Sequence, residues 1–160
     1  MASTDHTGEV SFSIRGARIT DMPALQGIYE RASLSNPQDA GPLLDNPEWL
    51  VFTDDGVREG RTRVAVDRQD EVVGFASYRI AGGVAELEDL FVEPARMRRG
   101  LGEALVRDIS ATLLGLSFAT LEVTANPQAL AFYERLGFVT THQVATELHR
   151  AAPRMVRPTG

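Results

Sequence analysis

The sequence contains no cysteine, and this absence excludes several kinds of chemistry. Without a thiol the chain forms no disulfide, has no thiolate nucleophile and offers no cysteine ligand to a metal. Its histidines, His6, His142 and His149, are too scattered along the chain to indicate a metal site. Lysine is absent as well, so the Gly-Lys-Ser/Thr signature of a Walker A loop cannot occur. We therefore expect a site that works without a metal, a catalytic cysteine or a Walker loop.

Long apolar runs and an excess of positive charge are also missing. No segment approaches the length of a membrane span, and the first residues show no signal-peptide pattern. The net charge of −6 argues against general nucleic-acid binding. A hydrophobic content of 43% in 160 residues is typical of one globular domain. We expect a flexible tail over residues 1–9, a single domain over residues 10–160, no membrane or nucleic-acid partner, and a cytoplasmic location.

Hydrophobic periodicity and turn residues predict alternating strands and helices. The predicted strands cover residues 10–15, 62–67, 71–80, 84–92, 119–124, 138–148 and 154–157. The predicted helices begin after a cap at Asp21, at Gly100 and at Pro127, and Gly82-Gly83 is typical of a hairpin turn. The polar segment Ser35–Gly60 is expected to contain short helical pieces.

Residues Leu87–Arg107 have the pattern of a strand, a basic glycine loop and the start of a helix. The loop and helix carry arginines, glycines and a four-residue apolar repeat: Arg96, Arg98, Arg99, Gly100, Gly102, Leu101, Leu105, Ile109 and Leu113. The first N–H groups of a helix lack partners and carry partial positive charge, which suits a phosphate or pyrophosphate. An ordinary strand-to-helix turn with surface arginines explains the same pattern. A dinucleotide fingerprint is excluded because Leu105 occupies the position of its third small residue.

A second pattern lies in residues Leu121–Val139. Asn126 is a natural N-cap, Pro127 suits the first helical position, and Gly137 is placed to end the helix. Leu130, Tyr133 and Leu136 form one apolar face between these ends. A capped helix that packs on a sheet explains this pattern too, but it does not explain an ionisable phenol in the apolar face.

Taken together, these segments resemble the GCN5-related N-acetyltransferase family. Residues Val92–Gly102 match the family's V-x-P-x-x-[QR]-x-x-G-x-[GA] segment, except that Met97 replaces the Gln/Arg. Residues Asn126–Phe138 match its N-P-x-A-x-x-F-Y-E-x-x-G-F segment, and Ile14–Glu30 is similar to its first strand and helix. The resemblance implies an α/β (α+β) fold with a mixed, mostly antiparallel sheet flanked by helices. It also implies that the fourth and fifth strands splay apart to admit the pantetheine arm of acetyl-CoA.

The resemblance also assigns residues to the cofactor. Acetyl-CoA is the implied co-substrate, and its pyrophosphate is held mainly by backbone N–H groups. The implied cofactor-binding residues are Leu90, Phe91, Val92, Arg98, Arg99, Gly100, Leu101, Gly102, Glu103 and Asn126. The backbone of Leu90–Val92 is the candidate for hydrogen bonds to the pantetheine and the acetyl carbonyl.

Acetyl transfer requires that an amine lose its proton, that an oxyanion be stabilised and that a thiolate gain a proton. Because cysteine is absent, we expect direct attack in a ternary complex. The resemblance assigns the thiolate proton to Tyr133, which is otherwise a packing residue. It assigns the base to Glu86, and Glu88 lies on the same face if the strand is regular. A bulge in the strand would shift that relation. A relay of water molecules is an alternative to either acid as the base. Both residues are also explained as exposed acids of a strand that have no catalytic role.

The acceptor is expected to be a small-molecule or peptide amine. Segment Ser35–Gly60 carries six acids against the single cation Arg58. A cleft lined by one sign of charge concentrates ligands of the other sign, so we predict a cationic amine, with Trp49 as a face for it. Acids that only solvate a surface segment are the alternative. The alternative to an enzyme is a non-catalytic acyl-CoA-binding module. Whether the protein forms a homodimer is left open by the sequence.

Overall fold

The structure, a computed structural model, describes residues 11–160. Its strands are β1 (Ser13–Gly16), β2 (Thr62–Val66), β3 (Val72–Ala81), β4 (Val84–Val92), β5 (Thr120–Thr124), β6 (Val139–Val144) and β7 (Ala152–Pro158). Its helices are α1 (Met22–Leu34), α2 (Pro37–Asp45), α3 (Asp55–Arg58), α4 (Leu101–Gly115) and α5 (Leu130–Arg135). The tail expected over residues 1–9 lies outside the described residues. Of the helices described, none has the length and apolar content that crossing a membrane requires.

The strands form one sheet in the order β1-β2-β3-β4-β5-β7-β6. All neighbouring pairs are antiparallel except β4 and β5, which are parallel. The parallel pair is joined at one register position, Glu86 opposite Glu122. Beyond that position the two strands separate. The predicted mixed, mostly antiparallel sheet with splayed central strands is confirmed.

Helix α4 covers one face of the sheet. Leu101, Leu105, Ile109 and Leu113 are all buried there, as their four-residue spacing predicts. Helix α1 covers the other face, where Leu25 and Ile28 pack in a second core with Phe75 of β3. The gap between β4 and β5 therefore lies in the middle of a sheet that has a helix on each side.

Several local predictions were wrong. Asp21 lies at the start of α1, but its carboxylate accepts hydrogen bonds from the Arg15 side chain and the Arg18 backbone. It therefore caps the 3₁₀ turn Ile19–Asp21 that precedes α1. Strand β6 ends at Val144, four residues before its predicted end, whereas β7 extends beyond its predicted bounds at both ends.

Candidate active site

Six consecutive backbone N–H groups are unpaired where the loop after β4 enters α4. They belong to Arg98, Arg99, Gly100, Leu101, Gly102 and Glu103, and none donates a hydrogen bond within residues 11–160. Arg98 and Gly100 both have positive φ, at 65° and 80°. Alternation of left-handed and ordinary backbone turns successive N–H groups toward one side, which forms a concave anion site. The loop therefore has the donors that a pyrophosphate requires.

The arginines of this loop differ in their partners. Arg96 donates a hydrogen bond to the buried Asp67 carboxylate at 3.1 Å, and this bond stabilises the loop. Arg98 and Arg99 are exposed and form no ion pair within the described residues. Their guanidinium groups add two positive charges beside the unpaired N–H groups.

Gly102 has a packing role that sequence reasoning missed. A Cβ at this position would lie 3.1 Å from Cζ of Phe132 on α5. The absence of a side chain therefore allows α5 to pack against the first turn of α4. A substitution at Gly102 would disturb this contact as well as any ligand in the loop.

Residues Leu90–Val92 form the half of β4 that faces the gap. On one side they pair with Ala76, Phe75 and Gly74 of β3. On the other side no register position joins them to β5. One edge of this backbone is therefore open to a ligand that enters between the strands.

The Asn126 side chain is already bonded at both ends. Its Oδ1 accepts a hydrogen bond from the Gln128 backbone at 3.0 Å, so it is the predicted cap. Its Nδ2 donates to Asp39 of α2 at 2.8 Å. Asp39 is buried, and its other oxygen lies 3.0 Å from Nε2 of His149. A direct bond from the Asn126 amide group to the cofactor would have to replace one of these contacts.

Tyr133 of α5 lies in the core that this helix and α4 form with the sheet, and 7% of the residue is exposed. Its ring packs edge-on against Phe132 and Phe138, with centroids 5.1 Å and 5.3 Å away. Burial raises the pKa of the Tyr133 phenol well above its usual range, which keeps it protonated. Its hydroxyl forms no hydrogen bond with any residue described, although buried tyrosines usually find a partner.

A bulge in β4 changes which face of the sheet carries Asp89. Ser77 of β3 pairs with Asp89, but the next residue, Tyr78, pairs with Leu87, so Glu88 is the extra residue. One extra residue reverses the alternation of side chains. Asp89 therefore joins Glu86 on the α1 face, whereas a regular strand would place Asp89 on the opposite face from Glu86 and Glu88.

Both predicted bases are held by arginines. Glu86 accepts hydrogen bonds from Arg154 of β7 and, at 2.8 Å, from Arg79. Burial raises the pKa of Glu86, but the two guanidinium groups outweigh it and hold the pKa below its usual range. Glu88 is exposed and bonds to Arg61 at 2.8 Å.

A cavity of about 390 Å³ opens on the α1 face beside the bulge. Its lining comes from α1, the segment around α3, β3 and β4: Tyr29, Val51, Phe52, Thr53, Asp55, Gly56, Glu59, Arg61, Arg79, Glu88 and Asp89. Four carboxylates and two arginines are in this lining, so acids are in excess. The cavity is large enough for the end of an amine substrate.

The structure brings only part of the acidic segment to this cavity. Asp55 and Glu59 line it, but Asp39 of α2 is buried elsewhere, and Trp49 is not in the lining. Arg58 lies 2.9 Å from Asp55, and the same arginine bonds Asp54. The acidic segment therefore contributes two residues to this cavity, and Trp49 as a face for the cation stays a prediction.

Within residues 11–160, no three histidine or carboxylate side chains are grouped so that they could bind a metal ion.

Comparisons with known proteins agree with this geometry. The model of the acetyltransferase (GNAT) family matches residues 25–138. The chain is similar to the [ribosomal protein bS18]-alanine N-acetyltransferase of Salmonella typhimurium, with 34% identity over 74% of this chain and 75% of that protein. It is also similar to the peptidyl-lysine N-acetyltransferase YjaB of the same organism, with 30% identity over 81% of this chain and 84% of that protein.

A solved structure shows the same fold. The PaiA N-acetyltransferase of Thermoplasma acidophilum, in complex with coenzyme A, superposes with a TM-score of 0.73. The match covers 92% of this chain and 98% of that one at 14% identity, so it bears on the fold alone. The family model spans most of the chain, including the glycine loop and the helix that carries Tyr133. The chain is therefore an enzyme of the acetyltransferase (GNAT) family.

Proposed function

We propose that this enzyme transfers the acetyl group of acetyl-CoA to a primary amine by direct attack in a ternary complex. The observation that carries the proposal is the row of six unpaired N–H groups from Arg98 to Glu103 beside the gap between β4 and β5. A pyrophosphate on these groups would direct the pantetheine arm along the open edge of β4. The two Salmonella relatives are named for acetylation of an alanine and of a lysine, and both residues present primary amines.

The open edge of β4 also suits the thioester. Backbone N–H groups in a gap away from water stabilise an oxyanion without having to reorganise. The N–H groups of Leu90–Val92 that face the gap have this character, because β5 does not pair with them. The thioester carbonyl would bind there, at the end of the arm.

Tyr133 is the proposed proton donor to the departing thiolate. Its hydroxyl has no partner within the described residues, and burial keeps it protonated at neutral pH. The raised pKa also makes the phenol a weaker acid. Donation must therefore accompany cleavage of the C–S bond, when the sulfur gains charge, and cannot precede it.

The cavity beside the bulge is the proposed acceptor site. It adjoins β4 at Glu88 and Asp89, next to the residues that would hold the thioester. Its excess of carboxylates favours a cationic acceptor, which includes a protonated amine of a peptide or a small molecule. Asp55 and Glu59 are the most exposed acids of this lining, with 61% and 62% of their side chains exposed.

The test is release of free thiol from acetyl-CoA in the presence of an amine panel. The panel contains peptides with a free α-amine, peptides with one lysine and an acetylated N-terminus, and small diamines. We expect turnover with at least one of them. Calorimetry that shows CoA binding without turnover on any amine would favour a non-catalytic acyl-CoA-binding module.

The preference for a cation has its own test. For a cationic acceptor, kcat/KM should fall as ionic strength rises, because the screening length is about 8 Å at physiological salt. The double variant Asp55→Asn/Glu59→Gln should lower kcat/KM at low salt and leave the KM for acetyl-CoA nearly unchanged. If the double variant matches the parent enzyme at low salt, or if a neutral amine is the best acceptor, the cationic preference is wrong.

A further inference from the structure

Asp89 differs from the other two acids of β4 because no arginine is bonded to it. Its Oδ2 accepts a hydrogen bond from Ser77 Oγ at 2.5 Å. Its Oδ1 accepts no hydrogen bond, and the carboxylate forms no ion pair, within residues 11–160. A largely buried carboxylate therefore keeps one oxygen for a proton or a ligand.

The bulge gives Asp89 its position. Without the extra residue Glu88, Asp89 would lie on the α4 face, in the apolar core. With it, the side chain lies on the α1 face and lines the acceptor cavity. The next residue, Leu90, begins the backbone edge that is open toward β5. Asp89 is thus the acid that lies between the cavity and the proposed thioester position.

Charged and titratable groups from every neighbouring element also face the cavity. They are Tyr29 of α1, Asp55 of α3, Glu59 and Arg61 before β2, Arg79 of β3, and Glu88 of β4. Burial raises the pKa of Asp89 most, the Ser77 hydrogen bond lowers it, Glu88 raises it and Arg61 lowers it, and together they bring it to about 6. A proton acceptor works best when its pKa lies near the working pH.

Building on the proposed function, we propose that Asp89 is the general base that takes the proton from the ammonium group of the acceptor. The lone pair of the freed amine attacks the thioester carbonyl carbon, a C–N bond forms and the C–S bond breaks. The sulfur takes a proton from Tyr133, and the phenolate regains one from the nitrogen of the new amide. Asp89 returns its proton to solvent, so each turnover releases one proton.

The experiment compares Asp89→Asn with the parent enzyme from pH 5 to pH 9, using the best acceptor of the panel. The ratio of their kcat/KM values cancels the titration of the acceptor itself. We expect the ratio, parent over variant, to rise as pH passes about 6 and to level at roughly 10²-fold or more, the scale of general base catalysis. Calorimetry should show unchanged CoA affinity.

Two further variants sharpen the test. Ser77→Ala should move the acidic limb of the profile to higher pH, because it removes the hydrogen bond that favours the carboxylate. Asp70→Asn makes the same chemical change at an exposed residue of the turn between β2 and β3, and it should leave the profile unchanged.

The outcomes separate this inference from the proposed function. A parent enzyme that acetylates no amine would overturn the proposed function, and the role of Asp89 with it. An active parent enzyme whose ratio to the asparagine variant is near one, or is the same at every pH, would overturn the role of Asp89 alone. In that case Glu86→Gln and Glu88→Gln would show whether another acid of β4 produces the acidic limb.

Discussion

Replacement of Asp89 by asparagine should make the folded protein more stable at neutral pH while it removes activity. Asparagine has nearly the same shape, and its carbonyl oxygen can still accept the hydrogen bond from Ser77. The change removes a negative charge that burial disfavours. Most substitutions in a core destabilise a protein, so a gain in stability would be distinctive.

The magnitude follows from the pKa of Asp89. Burial raises this pKa from 3.8 to about 6 in the folded protein. Each pKa unit is worth about 1.4 kcal/mol, so ionised Asp89 lowers the free energy of unfolding by up to about 3 kcal/mol. Because the carboxyl pKa is raised in the folded protein, the loss of stability is small below pH 4, about half complete at pH 5 and complete above about pH 7. The gain from Asp89→Asn should follow the same course.

Urea denaturation of the parent and the variant at several pH values measures this difference. At pH 8 the variant should be more stable by about 2–3 kcal/mol, which corresponds to a rise in Tm of roughly 5–10 °C for a domain of this size. At pH 4 the two proteins should be nearly equal. A variant that is less stable at pH 8, or a difference that does not change with pH, would refute the assignment of a buried, unpaired carboxylate.

Three further predictions concern the cofactor, the acid and the second carboxylate. Arg98→Ala and Arg99→Ala should each weaken CoA binding by ~1–3 kcal/mol in calorimetry if the guanidinium bonds a phosphate; full affinity in both would leave the backbone N–H groups as the whole site. Tyr133→Phe should keep CoA affinity and lower turnover by roughly 10²–10⁴-fold, and an undiminished chemical step would make the phenol a packing residue. Glu86→Gln should lower the free energy of unfolding by about 1–3 kcal/mol, because it weakens the bond to Arg154, and should leave the acidic limb of the pH profile in place; a lost limb would identify Glu86 as the base.

Local patterns in the sequence predicted the elements that form the proposed cofactor site. The repeat of Leu101, Leu105, Ile109 and Leu113 is sufficient to place α4, since burial of one helical face depends on spacing alone. The open edge of β4 was predicted from the resemblance to a family. In each case the signal lies within a short segment of the chain.

The acids of β4 could not be assigned from the sequence, because their faces depend on one extra residue. A bulge at Glu88 is set by pairing with β3, which is not visible in the composition of β4. The contact of Asn126 with Asp39 joins residues 87 positions apart, and no local pattern indicates it. Asp89 could not be singled out from the sequence for the same reason: its burial comes from distant segments.

The single paired position between β4 and β5 lies at one end of the gap, so a small rotation about it changes the width at the other end. Arg154 bonds both Glu86 and Glu122 there and ties the two strands to β7. Val92 lies six residues from the paired position at Glu86, or roughly 15–20 Å along the strand. If β4 rotated by only about 5° relative to β5 about that position, the distance between the strands at Val92 would change by roughly 1–2 Å, at the same rise per residue. The gap at Val92 can therefore widen for the pantetheine arm of a ligand while Arg154 keeps its bonds to Glu86 and Glu122.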